Sequence, residues 1–134
     1  FIKFIDQCSN IKECRFFLST VNNEQELIIL NKILDSTNGK NCEKLNHLQI
    51  SETLPIIKNC NISICNDSSF SHLSAALNIP TIVLMADTPL LYGNYNPMMH
   101  PIIPDGENNV THDTLGKDRI NPDKIFKKFR EIII

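Results

Sequence analysis

At 134 residues, with 42% hydrophobic and 21% charged residues, the chain has the size and balance of one soluble globular domain with a real core. A formal charge of −2 gives no general drive toward nucleic acid or anionic membrane. No apolar run approaches the roughly 20 residues that span a bilayer, and nothing at the N-terminus reads as a signal peptide; the chain begins at Phe1 rather than Met, so a missing start is expected.

Arg15–Ser19 is a short apolar run ending in Ser-Thr-Val-Asn-Asn, which predicts a strand and a turn. From Glu24 to Leu34, Leu27, Ile28, Leu30, Ile33 and Leu34 fall at helical spacing, and Ser36-Thr37-Asn38-Gly39 ends the helix. A short strand is expected around Lys44–Leu48. Ser51 is a candidate cap for a helix carrying Leu54, Ile56 and Ile57 to about Asn59, with Pro55 in its first turn. Ile62–Cys65 reads as a buried strand, followed at once by Asn66-Asp67-Ser68-Ser69. Phe70–Leu77 follows as a helix with Leu73, Ala76 and Leu77 facing inward, and Asn78 suits a left-handed helix stop.

Pro80 leads into the β-branched strand Thr81–Met85. A long loop over Ala86–Met99 holds Pro89, Gly93 and Pro97, and a last strand is expected at Ile102-Ile103. Asp105–Asp118 reads as an exposed polar loop. Pro122 opens a terminal amphipathic helix with Ile125, Phe126, Phe129 and Ile132 or Ile133 near the 3.6-residue period. Alternating strands and helices imply an α/β fold with a parallel sheet covered on both faces.

Residues 66–69 are placed where chemistry is most readily housed. Ligands of open parallel sheets bind outside the carboxyl ends of the strands. The first amides of the next helix lack intrahelical acceptors and carry partial positive charge. A phosphate or pyrophosphate is therefore a natural guest at Ser68–Phe70, with Ser68 and Ser69 adding hydroxyls. His72 follows by three and four residues on the same face and is placed to donate to a phosphate oxygen. Asp67, itself anionic, is expected to cap the helix or accept from a sugar or ribose hydroxyl. The plainer reading is that Asp67 or Ser68 simply caps the helix and His72 is a surface or satisfied core histidine.

Asn66-Asp67-Ser68-Ser69-Phe70-Ser71-His72-Leu73-Ser74-Ala75-Ala76-Leu77-Asn78-Ile79-Pro80-Thr81 resembles a pattern of glycosyltransferase family 9, the ADP-heptose:lipopolysaccharide heptosyltransferases. The family's pattern is Asn-Asp-(Ser/Thr)-Gly-Pro-x-His-Leu-Ala-Ala-Ala-Leu-Gly-x-Pro-Thr. Ile50–Asn61 is similar to the family's approach to this strand, Asp87-Thr88-Pro89 and Tyr92–Pro97 to its following loop, and Ile120–Ile125 to its closing helix. The similarity runs over roughly residues 15 to 133, and its specific part is 50–97.

The resemblance implies a Rossmann-like open parallel sheet forming the C-terminal half of a GT-B glycosyltransferase, with residues 1–134 as a single nucleotide-sugar-binding domain. It carries Asp67, Ser68, Ser69 and His72 over to the diphosphate and nearby sugar, and puts a ribose contact at Asn23 or Glu24. The loop Met85–Thr88, with Thr88 at its end, would line the base pocket. The implied donor is a nucleotide-sugar, ADP-heptose first, with no metal and no other cofactor. The implied acceptor is lipopolysaccharide or another glycan, held with the general base by an N-terminal half outside this chain, so that this part alone has no catalytic residue and no activity. A cytoplasmic protein, with peripheral contact at the inner membrane, is the corresponding expectation. Ser69 stands where the family has Gly, Phe70 where it has Pro, and Ala86 at the strand-end Gly.

The remaining features have plainer readings. Cys8, Cys14, Cys42, Cys60 and Cys65 form no CxxC pair and suit reduced, mostly buried thiols. His100 and the His112-Asp113 pair read as surface residues, and His47 as one near a strand end. Met98-Met99 reads as packing. Lys124, Lys127, Lys128 and Arg130 form a basic helix face, solvated or drawn to anionic lipid. The rival functions are a GT-B transferase using a UDP- or GDP-sugar, and a non-catalytic nucleotide-binding or interaction domain.

Overall fold

Thr81, Ile82, Val83 and Leu84 are all buried, and a run this uniformly apolar belongs between covered faces. In the computed structural model, which describes residues 1–37 and 41–134, this run is β4 (Thr81–Leu84). It is the middle of a parallel three-stranded sheet in the order β3 (Ser63–Asn66), β4, β5 (Met99–Ile102). Ser63 pairs with Thr81 and Asn66 with Leu84, while Thr81 pairs with Met99 and Leu84 with Ile102. β1 (Phe16–Leu18) and β2 (Cys42–Lys44) pair in parallel as a second, two-stranded sheet. The parallel α/β architecture is as expected from the sequence.

The chain divides into two compact units, Phe1–Thr53 and Leu54–Ile134. The first contains α1 (Ile2–Ser9), β1, α2 (Glu24–Ser36) and β2, with Phe4, Ile5, Cys8, Leu30, Ile33 and Leu45 buried. α1 has no counterpart in the sequence reading, although Phe4, Ile5 and Cys8 are spaced for a helix face. α2 starts where expected. Its N-cap is Asn23, whose side-chain oxygen accepts from the Glu26 amide at 2.9 Å. Ile28 and Ile29 stay exposed on it. The helix stop predicted over 36–39 falls partly at Asn38 and Gly39, which lie outside the described residues. β2 lies earlier than expected, because the chain leaves the ladder at Leu45 and turns back through a Leu48-to-Leu45 hydrogen bond.

The second unit runs through most of α3 (Ile50–Lys58), then β3, α4 (Ser69–Ala76), β4, the short α5 (Leu91–Asn94), β5 and α6 (Pro122–Ile133). Ser51 does not cap α3. The helix begins a residue earlier, the amides of Glu52 and Thr53 bond to the Gln49 carbonyl, and the Glu52 carboxylate accepts from the Gln49 amide at 2.7 Å. Pro55 is therefore inside the helix rather than in its first turn. α5 lies within the stretch read as a long loop. Gly93 lets it sit on the end of β4, since a Cβ there would run into the Met85 sulfur.

α4 does not bury the face expected of it. Ser71, Ser74 and Ala75 are buried, Leu73 and Leu77 are half-buried, and Ala76 is exposed. Small side chains let the helix lie close against β3 and β4. Ala75 joins Val83, Met85 and Met99 in one cluster, with Leu90, Met98 and Ile103 packed on it, so the methionine pair is packing.

β5 begins three residues before the expected strand. Met99 and Ile102 are buried, while His100 and Pro101 are half-buried. The amides of Thr81 and Met85 donate to the carbonyls of Met98 and Ile102. The even-numbered residues of β5 thus face β4, and Met99 and Pro101 turn their nitrogens away from it. Pro101 therefore costs no ladder bond, and the Met99 amide is closed by the Asn96 carbonyl at 2.9 Å.

The predicted polar loop 105–118 is anchored at its middle and near its end. Val110 is buried, and the Gly116 amide bonds to the Ala86 carbonyl at 3.0 Å. In α6, Ile125 and Phe129 are buried as the periodicity predicts. On its basic face Lys124 pairs with Asp105, and Lys128 with Glu131.

Asn78 has φ 60°, a left-handed conformation, and its amide bonds to the Ala75 carbonyl. Asn tolerates that region better than other non-glycine residues. Asn78→Ala should cost about 1 kcal/mol and Asn78→Gly should cost nothing measurable. Denaturant unfolding of both variants checks this, and equal behaviour would refute it.

Candidate functional site

Since Asn66 pairs with Leu84, β3 and β4 end side by side and in the same direction. The segments that leave them, 67–69 and 85–88, therefore start from one edge of the sheet. This is the place where open parallel sheets hold ligands.

Ser68 is the N-cap of α4, in extended backbone. Ser71, fully buried one turn later, donates its hydroxyl to the Ser68 carbonyl at 2.7 Å and accepts from the Ser68 amide at 3.3 Å. The Ser71 amide also donates to the Ser68 carbonyl, at 3.0 Å. These bonds fix the first turn. The amides of Ser69 and Phe70 remain, at positions where the helix itself offers no acceptor. Ser69 is exposed and has no positive φ, so serine is accommodated without backbone strain where the family pattern has Gly.

His72 stands one turn in, with its side chain 39% exposed. Its Nδ1 and the Tyr95 hydroxyl are hydrogen bonded at 2.7 Å, and the two rings stack with centroids 5.7 Å apart. Its Nε2 lies 3.5 Å from Asp67 Oδ1. That separation is too long for a well-formed hydrogen bond and short enough for electrostatic attraction. His72 is thus a held surface residue, with one ring nitrogen closed and the other poised. Tyr95 was absent from the sequence-based site. It lies 23 residues along the chain from its partner, and no local pattern signals such a contact.

Thr88 follows β4, and its Oγ1 is buried without a hydrogen-bond partner, as is the hydroxyl of Ser74 on the buried face of α4. The structure brings together Asp67, Ser68, Ser69 and His72 at the start of α4, with Thr88 on the neighbouring strand-end segment. Asn23 and Glu24 belong to the first unit. There Asn23 is engaged as the α2 cap, and Glu24 is the exposed first residue of that helix.

Burial holds back the ionisation of two of the thiols. Burial pushes Cys8 up to about 12, helped by the neighbouring Cys14 thiol. Burial also pushes Cys65 up to about 11, with a Ser63 hydrogen bond opposing and the Asp67 charge reinforcing it. Only Cys8 is fully buried; the other four thiols are partly so. His100 is held below its ordinary value by burial and by the Lys128 charge. Among the described residues, no group of three His, Cys, Asp or Glu side chains is arranged to hold a metal ion, and no helix is long and apolar enough to cross a membrane.

Parallel strands joined through helices, with a serine-capped helix start at the shared strand ends, define a Rossmann-like α/β protein. The sequence profile of glycosyltransferase family 9 (heptosyltransferase) matches residues 3–115, and the chain belongs to that family. Its fold is similar to that of the E. coli ADP-heptose LPS heptosyltransferase II, with a TM-score of 0.70 and 19% identity. The likeness covers 98% of this chain and 39% of that enzyme, so the chain spans well under half the length of that relative. No curated protein matches the sequence.

Two measurements test these assignments. Thr88→Val should leave the stability of the ligand-free protein unchanged or raise it by up to about 1 kcal/mol, because no bond is lost; a clear loss in denaturant unfolding would show a hidden partner. The Cys8 and Cys65 pKa values lie above the ordinary 9.0. Their contribution to stability is therefore complete below pH 9 and is lost as pH rises toward 11 and 12. Cys8→Ala should lose less stability than the parent over that alkaline range, and parallel loss in both would contradict the assignment.

Proposed function

We propose that this chain is the donor-binding, C-terminal half of an inverting GT-B glycosyltransferase, with the diphosphate of a nucleotide-sugar seated at the start of α4. The supporting observation is the conjunction at that helix. The Ser69 and Phe70 amides lack helical acceptors, and one turn along His72 keeps Nε2 clear of a closed hydrogen bond. A diphosphate offers the acceptor oxygens that both lack, and the helix dipole favours its charge.

In an inverting transfer the acceptor oxygen attacks the anomeric carbon from the face opposite the leaving group. The bond to the β-phosphate oxygen breaks, and a base takes the acceptor proton. Charge then develops on the departing diphosphate, where preorganised amides and an imidazole N–H stabilise it most. Ser68 and Ser69 contribute hydroxyls, and Asp67 orients His72 and accepts from a sugar hydroxyl. The loop Met85–Thr88 after β4 lines the pocket for the nucleotide base.

The base and the acceptor surface belong to the remainder of the enzyme, so this part alone binds donor and does not turn over. The E. coli relative is named for ADP-heptose and lipopolysaccharide, and ADP-heptose is the donor proposed here, for a lipopolysaccharide or related glycan acceptor. Synthesis at the cytoplasmic side of the inner membrane follows from that pairing.

Calorimetric titration with ADP, UDP, GDP and CDP tests the reading. ADP should bind best, and His72→Ala should weaken it about 10-fold or more, the size of a lost hydrogen bond to a charged group. If no nucleotide binds, or if His72→Ala binds ADP as the parent does, the donor site is elsewhere.

A further inference from the structure

We infer that Tyr95 is a positioning residue: its hydroxyl, donating to Nδ1, supports together with Asp67 the His72 tautomer in which Nε2 carries the proton offered to the ligand. The inference rests on the donor-site reading above and adds a residue that reading does not contain. Neutral imidazole has one donor nitrogen and one acceptor nitrogen, and the partner of each decides which is which. Nε2 faces the Asp67 carboxylate at 3.5 Å, and an ionised carboxylate can only accept. Nε2 therefore holds the hydrogen. Nδ1 must then be the acceptor, and the Tyr95 hydroxyl donates to it at 2.7 Å.

The stacked Tyr95 ring, inclined 19° to the imidazole, restricts rotation of the His72 side chain as well. The two contacts do different work. Stacking limits where the ring lies, and the hydroxyl, donating to Nδ1, reinforces the tautomer that the Asp67 carboxylate favours. Because the Nε2–Asp67 distance is longer than a good hydrogen bond, the Nε2 proton is left without a strong acceptor. A phosphate oxygen arriving at the Ser69 and Phe70 amides meets a donor already oriented. Without the hydroxyl, part of the population puts the hydrogen on Nδ1 and presents a lone pair to an anion.

The test uses Tyr95→Phe, which keeps the stacking ring and removes only the hydroxyl; Tyr95 is exposed, so the fold is not at stake. Nitrogen-15 NMR of the imidazole should show Nδ1 as the unprotonated nitrogen in the parent protein and a mixture of tautomers in Tyr95→Phe. ADP binding should weaken by about 3- to 10-fold, the range of one ordinary hydrogen bond. In the His72→Ala background, Tyr95→Phe should have no further effect. If Tyr95→Phe leaves either the tautomer or the affinity unmoved, or weakens binding equally with His72 already removed, the inference is overturned. Failure of the parent protein to bind ADP overturns the donor-site reading instead, and is seen before any variant is compared.

Discussion

The parallel register between β3 and β4 decides where everything else can be. With Asn66 opposite Leu84, both strands release their chains at one edge, and a helix start and a loop are delivered there together. β4 is the most deeply buried strand, with Ile82 and Val83 inaccessible to solvent. The candidate site is therefore anchored to the least deformable part of its unit. A one-residue slip would turn the inward side chains outward and misplace α4.

The partition of α4 into two faces follows from this anchoring. Ser71, Ser74 and Ala75 give the sheet a thin, small-residue surface, and Ser71 also ties off the first turn. His72 is the next residue after Ser71 and is rotated about 100° around the helix, so it turns outward toward Tyr95 and Asp67. One serine thus serves packing and capping, while its neighbour is left on the exposed side of the helix. The departures from the family pattern at 69 and 70 leave this arrangement intact, since the backbone there needs no glycine.

Much of this was legible in the chain itself. Period and punctuation located β1, β3, β4, α2, α4 and α6, and the residues at the helix start followed from their place after β3. The failures share a physical cause. β5 starts at Met99, three residues before the apolar pair Ile102-Ile103 that signals it, because Pro101 at an outward-facing edge position removes no ladder bond. Hydrophobicity alone points Leu73, Ala76 and Leu77 of α4 inward, whereas close helix–sheet approach buries Ser71, Ser74 and Ala75. Ser51 lost the cap to the Gln49–Glu52 pair, one of several plausible polar starts. Tyr95 was beyond reach, since a contact across 23 residues is a property of the crossover through α5 and leaves no periodic trace.

The outer rim of β5 has a further consequence. Pro101 has no amide hydrogen to offer there, and the hydrogen of Met99 is already spent on Asn96. An unfamiliar strand arriving from outside would find too few donors to zip onto. That side of the three-stranded sheet is thereby a poor template for a further strand.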